Sequence, residues 1–267
     1  MSACPTDACA SCQARIPVLE KLGIRMKGWD HVVALAGNPN TGKSTVFNQL
    51  TGLRQHTGNW PGKTVSRAEG GFSLDGRHYK LVDLPGTYSL LSTSLDEQVA
   101  RDFLLFGQPD VVVIVVDATS LERNLNLTLQ VLQLTPRAVI CLNLMDEARA
   151  HGMELDERAL ARELGVPVVP CSARDREGIP ELLGAVREVA TGTFTGRPPK
   201  LPLDVPGLPA AVGKVAALLR THYPEVPNPD WIALQLIDGD ADFLDAVANG
   251  TLGKLAEDPH ARLMVSS

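Results

Sequence analysis

Between His31 and about Thr195 the chain alternates short aliphatic runs with stretches whose apolar residues recur at helical spacing. Val111–Asp117 and Ala138–Asn143 are almost wholly aliphatic, the pattern of parallel strands covered on both faces. His31–Ala36 and Val166–Cys171 read as further strands. Arg67–Leu74 and Arg77–Asp83 flank Asp75-Gly76, a strong hairpin signal because both turn residues tolerate positive φ. Helices are predicted to begin at Lys43–Leu50, to follow the leucines of Asn124–Leu134, and to close the region at Ile179–Ala190. This alternation predicts an α/β fold: a doubly wound, mostly parallel six-stranded sheet with right-handed crossovers and a single antiparallel pair.

Beyond Gly196 strand-like runs vanish and about half of the 19 prolines are found. Leu208–Leu219 reads as an amphipathic helix, and Pro229 suits the first turn of a second one through Leu236. Asp240–Val247 and Thr251–Ala256 suggest two more short helices. The chain is therefore divided into a Cys-bearing extension over 1–30, an α/β domain over 31–195, and a small all-α domain over 196–267. The last is too small to be very stable unless docked on its neighbour.

With 267 residues the chain can bury a substantial core. Its net charge of −6 offers no electrostatic footprint for a phosphate backbone, so nucleic acid is not an expected partner. No run approaches the ~20 apolar residues that span a bilayer. Cys4, Asp7, Cys9, Cys12 and Gln13 stand where the apolar core of a secretory signal would be, so the chain is expected to stay in the cytosol. Its odd count of five cysteines argues against a disulfide framework. Cys4, Cys9 and Cys12 have spacing compatible with zinc, iron or a redox pair. They fall one ligand short of a closed zinc site unless two segments of a dimer share the metal; otherwise they are incidental thiols of a tail. Cys141 and Cys171 read as small buried hydrophobes. His31, His56, His78, His151, His222 and His260 show no metal-binding spacing.

The strongest chemical signal is Gly37-Asn38-Pro39-Asn40-Thr41-Gly42-Lys43-Ser44, a phosphate-binding loop between a predicted strand and a predicted helix. Its backbone N–H groups wrap phosphates, its glycines permit the close approach, and the following helix N-terminus, with Thr45, adds positive potential. In this pattern Lys43 reaches the β- and γ-phosphates and the Ser44 hydroxyl ligates Mg²⁺. Asp83-Leu84-Pro85-Gly86 ends the hairpin's second strand. There Asp83 would hold Mg²⁺ through a water, and the Gly86 amide would bond the γ-phosphate. Asn143-Leu144-Met145-Asp146 follows the fifth strand. The Asp146 carboxylate can accept both donors on the edge of guanine, a pair adenine lacks, while Asn143 ties this loop to the phosphate loop. Ser172-Ala173-Arg174 would complete the base pocket through backbone contacts. Together these residues resemble a GTPase of the translation-factor-like class.

Several segments carry a closer resemblance: Gly58-Asn59-Trp60-Pro61-Gly62-Lys63-Thr64-Val65, Asp83 through Leu90, Ser94-Leu95-Asp96-Glu97-Gln98, Asp117-Ala118 and Leu121 through Leu125. The chain resembles the N-terminal cytosolic region of FeoB, the bacterial ferrous iron transporter, over roughly 31–260. Trp231-Ile232-Ala233-Leu234 and Gly239-Asp240 are similar to that family's helical domain. The resemblance implies a helical domain that slows nucleotide release, a membrane domain that conducts Fe²⁺, and a place at the cytoplasmic face of the bacterial inner membrane. Small cytosolic accessory proteins and self-association are further implied partners. Switches are implied over Thr57–Ser66 and Leu84–Ser94, with the Thr64 hydroxyl completing the Mg²⁺ shell and Thr57 the nearby alternative. A K⁺ ion beside the phosphates is implied, held by Asn40 and by backbone carbonyls near Gly58 and Trp60. Arg54 acting as an arginine finger is the alternative source of charge.

Position 87, where many GTPases place a water-orienting Gln, is Thr87, so slow turnover is expected, with the attacking water held by backbone groups. Trp60 reads either as a hydrophobic anchor or as a hinge cover, and Asp96-Glu97 as the opening of a helix. A GTPase of ribosome assembly or tRNA modification, or a non-catalytic GTP sensor, are the competing readings.

Overall fold

The computed structural model describes residues 16–52, 55–91, 94–200 and 204–259. A helix runs over residues 16–21 (α1). After it come β1 (His31–Gly37), α2 (Lys43–Thr51), β2 (Gln55–Asn59), β3 (Ser66–Leu74), β4 (Arg77–Asp83) and α3 (Leu95–Phe106). Then follow β5 (Val111–Asp117), α4 (Leu121–Leu134), β6 (Ala138–Asn143), α5 (Met145–Ala150), α6 (Glu157–Leu164), β7 (Val168–Pro170) and α7 (Ile179–Ala190). The chain continues through α8 (Leu208–His222), α9 (Pro229–Asp238), α10 (Ala241–Ala248) and α11 (Leu252–Glu257).

The sheet order is β2-β3-β4-β1-β5-β6-β7. From β4 to β7 all neighbours are parallel, whereas β2, β3 and β4 are antiparallel. The sheet thus has seven strands rather than the six expected, and two antiparallel pairs rather than one. The extra strand, Gln55–Asn59, is polar and contains a glycine. An edge strand needs no apolar face, so alternation gives no signal there. β7 is shorter than expected, and α5 and α6 were not anticipated.

Alternation within β1, β5 and β6 splits the core in two. Val32, Ala34, Val112, Ile114, Ile140 and Leu142 face the layer of α3 and α4. Val33, Leu35, Val113, Val115, Val139 and Cys141 face that of α2 and α7. Each fully buried Val, Leu or Ile among them contributes about 1.5–3 kcal/mol. The first cluster extends in two directions. It takes in Val18, Leu19, Leu22 and Ile24 ahead of β1, and Trp231, Ile232, Phe243 and Leu255 of the C-terminal helices. Both flanking regions therefore share the core of the α/β domain.

Candidate nucleotide site

β1, β4, β5 and β6 all deliver loops to the same, carboxyl end of the sheet, where parallel α/β folds place ligands. The turn after β1 is glycine-dependent at two points. A Cβ on Gly37 would lie 2.6 Å from the Val115 carbonyl oxygen. Gly42 has φ +78°, and a Cβ there would lie 2.4 Å from Asn143 Nδ2. Asn40 is exposed with φ 67°, a left-handed geometry that asparagine tolerates. Asn38 and Thr41 are buried, and the Thr41 hydroxyl donates to the Asn38 carbonyl (3.0 Å). Gly42 caps α2 without a side-chain hydrogen bond, so no side chain caps that helix end. Ser44 and Thr45 are exposed there, where a helix terminus attracts anions.

Asn143 joins two loops. Its Nδ2 donates to the Thr41 carbonyl (2.9 Å) and its Oδ1 accepts the Ala173 N–H (3.0 Å). Leu144 takes a left-handed φ of 63°, turning the chain into α5. The Asp146 amide there donates to the Ser172 hydroxyl (3.0 Å), and Met145 N–H donates to the Cys171 carbonyl (3.1 Å). Asp146 is half-buried at the first turn of α5, Ser172 and Ala173 are buried, and Arg174 is exposed.

Lys43 of α2 forms an ion pair with Asp83 and donates to the Leu84 carbonyl (2.8 Å). Burial pushes the Asp83 carboxyl above the usual carboxylate range, and Lys43 opposes that shift without cancelling it. Lys43, Asp83 and Gly86 line a cleft of about 690 Å³ with Thr57 and the exposed Thr64. The structure thus brings Lys43, Asp83, Gly86, Thr57 and Thr64 to one cavity. Gly58 lies in the β2 edge strand opposite Arg67, and the Trp60 carbonyl accepts Lys63 N–H (3.0 Å).

After Asp83, Leu84 N–H donates to Leu35 (3.0 Å) and Thr87 N–H to Gly37 (3.3 Å), both at carbonyls of β1. Thr87 is buried. Ser89 Oγ donates to Glu97 Oε1 (2.8 Å), and Leu90 N–H donates to Gln130 Oε1 (2.6 Å). The Arg123 guanidinium lies 4.6 Å above the exposed Tyr88 ring. Asp96 and Glu97 occupy the first turn of α3, whose N-cap Ser94 accepts Glu97 N–H (3.2 Å). Sequence reading missed Arg101. It is fully buried, with Nη1 3.1 Å from Asp240 and Nη2 2.9 Å from Asp242, and pairs also with Asp102. An arginine in an amphipathic helix reads as solvated, and its partners lie far off in sequence.

Cys141 and Cys171 are buried; the hydrogen bond of the Cys141 thiol with Cys171, then burial, pushes that thiol well up. Cys4, Cys9, Cys12, Arg54 and His260 lie outside the described residues. Among the described residues no three His, Cys, Asp or Glu side chains are grouped to hold a metal, and no helix is long and apolar enough to cross a membrane.

The sequence profile of ferrous iron transport protein B matches residues 31–186. The chain belongs to that family. The Fe(2+) transporter FeoB of Salmonella choleraesuis is 42% identical over 213 residues, covering 78% of this chain and 27% of that protein. The chain thus spans about a quarter of the length of that relative. The cytosolic domain of the T. maritima FeoB iron transporter in GDP form II superposes with a TM-score of 0.76 at 38% identity, covering 82% of this chain and 85% of that one. Its GMPPNP form gives 0.76 at 38% identity, with 82% and 86% covered. The fold is that of the family's P-loop GTPase domain with a C-terminal helical region.

Proposed function

We propose that the chain is the GTP-binding and GTP-hydrolysing region of a ferrous iron transporter, and that its nucleotide state gates Fe²⁺ uptake through a membrane domain. The observation that carries this reading is the Asn143 side chain, which fixes the phosphate loop against the loop that presents Asp146. Phosphate binding and base reading are thereby held in one register. The GDP and GMPPNP forms of the T. maritima domain support guanine nucleotides as the ligands.

On binding, Lys43 exchanges Asp83 for the β- and γ-phosphates, and the Asp83 carboxylate is released to the metal side of the cleft. Ser44, Thr64 and Asp83 offer the oxygen donors that Mg²⁺ takes, Asp83 through a water. When bound, the ion neutralises charge on the phosphate oxygens. The backbone N–H groups from Asn40 to Thr45 cradle the phosphates, and Gly86 N–H meets the γ-phosphate. With Thr87 buried, the attacking water falls to backbone groups of the second switch, in keeping with slow turnover.

Potassium activation is proposed through Asn40, whose exposed amide lies on the phosphate loop. Backbone carbonyls near Gly58, in the β2 edge strand, and near Trp60, in the turn after it, would complete the ion's shell. The helical region is proposed to slow nucleotide release from the cytoplasmic face of the inner membrane, where accessory proteins of iron transport would reach it.

Calorimetry with GDP, GTP and ATP tests the reading, beside single-turnover hydrolysis in KCl and NaCl. Guanine selectivity with hydrolysis supports it; equal affinity for ATP rejects it, and binding without turnover favours a GTP sensor. Asp146→Asn should weaken GTP binding by about 10- to 100-fold, as expected for a lost charge-assisted pair, and should favour xanthosine triphosphate.

A further inference from the structure

Residues 16–30 lie outside the family match, yet they are built into the underside of the first switch. Leu19, Leu22 and Ile24 share a core with Trp60 and Phe103. Trp60 opens the switch loop: its N–H donates to the Val65 carbonyl (2.9 Å), which closes a loop containing Thr64, and its carbonyl accepts Lys63 N–H. The indole is 2% exposed and packs edge-on against Phe103, with centroids 5.4 Å apart and planes at 66°. Among the described residues its Nε1 has no hydrogen-bond partner, so the ring is held by its packing and by what stacks on its face.

Arg67 stands over that ring, its guanidinium 5.4 Å from the centroid. Arg67 is itself fixed by Glu69 Oε1 (2.8 Å) and by the Leu22 carbonyl, which accepts from Nη1 at 2.9 Å. Lys80 adds a second tie, bridging Glu69 Oε2 (2.6 Å) and the Arg25 carbonyl (3.0 Å). The amino-terminal segment thus reaches the switch through two backbone carbonyls.

We propose that residues 16–30 brace the first switch and that Arg67 is a positioning residue for GTP hydrolysis, acting through Trp60 to keep Thr64 facing the cleft. This rests on the GTPase reading above. Anchoring one end of a short loop lowers the entropy lost when its threonine meets the phosphate.

Gly23 gives the means to test it. It has φ +83°, and a Cβ there would lie 2.2 Å from Arg67 Nη1. Gly28 has φ +84° and, among the described residues, nothing within 4 Å of an added Cβ, so Gly28→Ala imposes the same backbone strain in the same segment without touching Arg67. The full chain carrying Trp29→Phe and Trp231→Phe leaves Trp60 as its one tryptophan. In that parent, acrylamide quenching, GDP affinity and single-turnover GTP hydrolysis are compared across variants.

Gly23→Ala and Arg67→Met should each raise quenching and slow hydrolysis about three- to tenfold, with GDP affinity kept within about twofold. Their combination should be no worse than either alone, Arg67→Lys should recover most of the rate, and Gly28→Ala should match the parent. Parent-like quenching and rate in both Gly23→Ala and Arg67→Met would overturn the brace, as would an equal loss from Gly28→Ala or a matching fall in GDP affinity. A parent that hydrolyses no GTP sinks the GTPase reading instead, and the quenching comparison then still decides whether the brace exists.

Discussion

Lys43 and Asp83 hold each other in the wall of the cleft, although the proposed nucleotide binding would ask each of them for a different partner. The pair spans from α2 to the end of β4, so it closes the phosphate loop onto the start of the second switch. Opening it is part of the work that the nucleotide must do.

Asp83→Asn separates the two roles of that carboxylate. Its folded-state pKa lies above the ordinary value, so between the unfolded and folded pKa values the native state binds more protons. Stability from this group is therefore present at low pH and declines as pH rises through that window. A neutral isostere escapes the penalty, and the nucleotide-free variant should melt no lower than the parent at pH 7. Hydrolysis should fall about tenfold or more, because the metal-side oxygen is lost. Melting curves from pH 4 to 8 and single-turnover assays check both halves; a lowered melting temperature at pH 7 would contradict the sign.

Asn143→Ala should be among the more damaging single changes at the site. It strands the Thr41 carbonyl and the Ala173 N–H, both held by a buried side chain. Each unsatisfied buried group costs about 1–3 kcal/mol. Denaturant unfolding should register the loss, and GDP affinity should fall with it because two loops are unfastened together. A variant that binds GDP normally at parent stability would remove Asn143 from this role.

The parts of this architecture that could be read in the chain are those whose environment is uniform. β1, β5 and β6 are buried on both faces, so their residues declare themselves by composition alone. Gly37 and Gly42 are dictated by closeness to Val115 and Asn143, which is why a fixed spacing of glycines signals the phosphate loop. β2 was not legible, since a polar edge strand is specified by the partner it meets rather than by its own pattern. The seating of Trp60 beneath Arg67 was equally hidden. It depends on a carbonyl of Leu22, and backbone groups carry no residue identity.

Asn40→Gly is the cleaner test of potassium than an alanine. Alanine at φ 67° would add backbone strain of about 1–2 kcal/mol, whereas glycine keeps the loop and removes only the amide. Stimulation of single-turnover hydrolysis by KCl over NaCl should disappear, with GDP affinity held within about twofold, since the other loop contacts remain. Persistent stimulation would move the ion away from residue 40.

Arg101 sets how firmly the helical region sits on the α/β domain. Its guanidinium is fully buried, donates to Asp102, Asp240 and Asp242, and lies 4.8 Å from the Phe243 ring centre. The three acids raise its pKa against the desolvation that lowers it, so it stays charged at all accessible pH. Arg101→Ala removes the buried cation that pairs with Asp102, Asp240 and Asp242 and so breaks a buried ion-pair cluster, a change that costs about 3–5 kcal/mol. Arg101→Met, combined with Asp240→Asn and Asp242→Asn, removes cation and acids together and should recover a large part of that loss. Because α3 begins at the Ser89–Glu97 contact of the second switch, the alanine variant should also release GDP faster than the repaired triple variant. Stopped-flow release of a fluorescent GDP analogue from both, beside urea unfolding, separates a loosened interface from a general loss of stability. Equal release rates in the two would show that this latch does not reach the nucleotide.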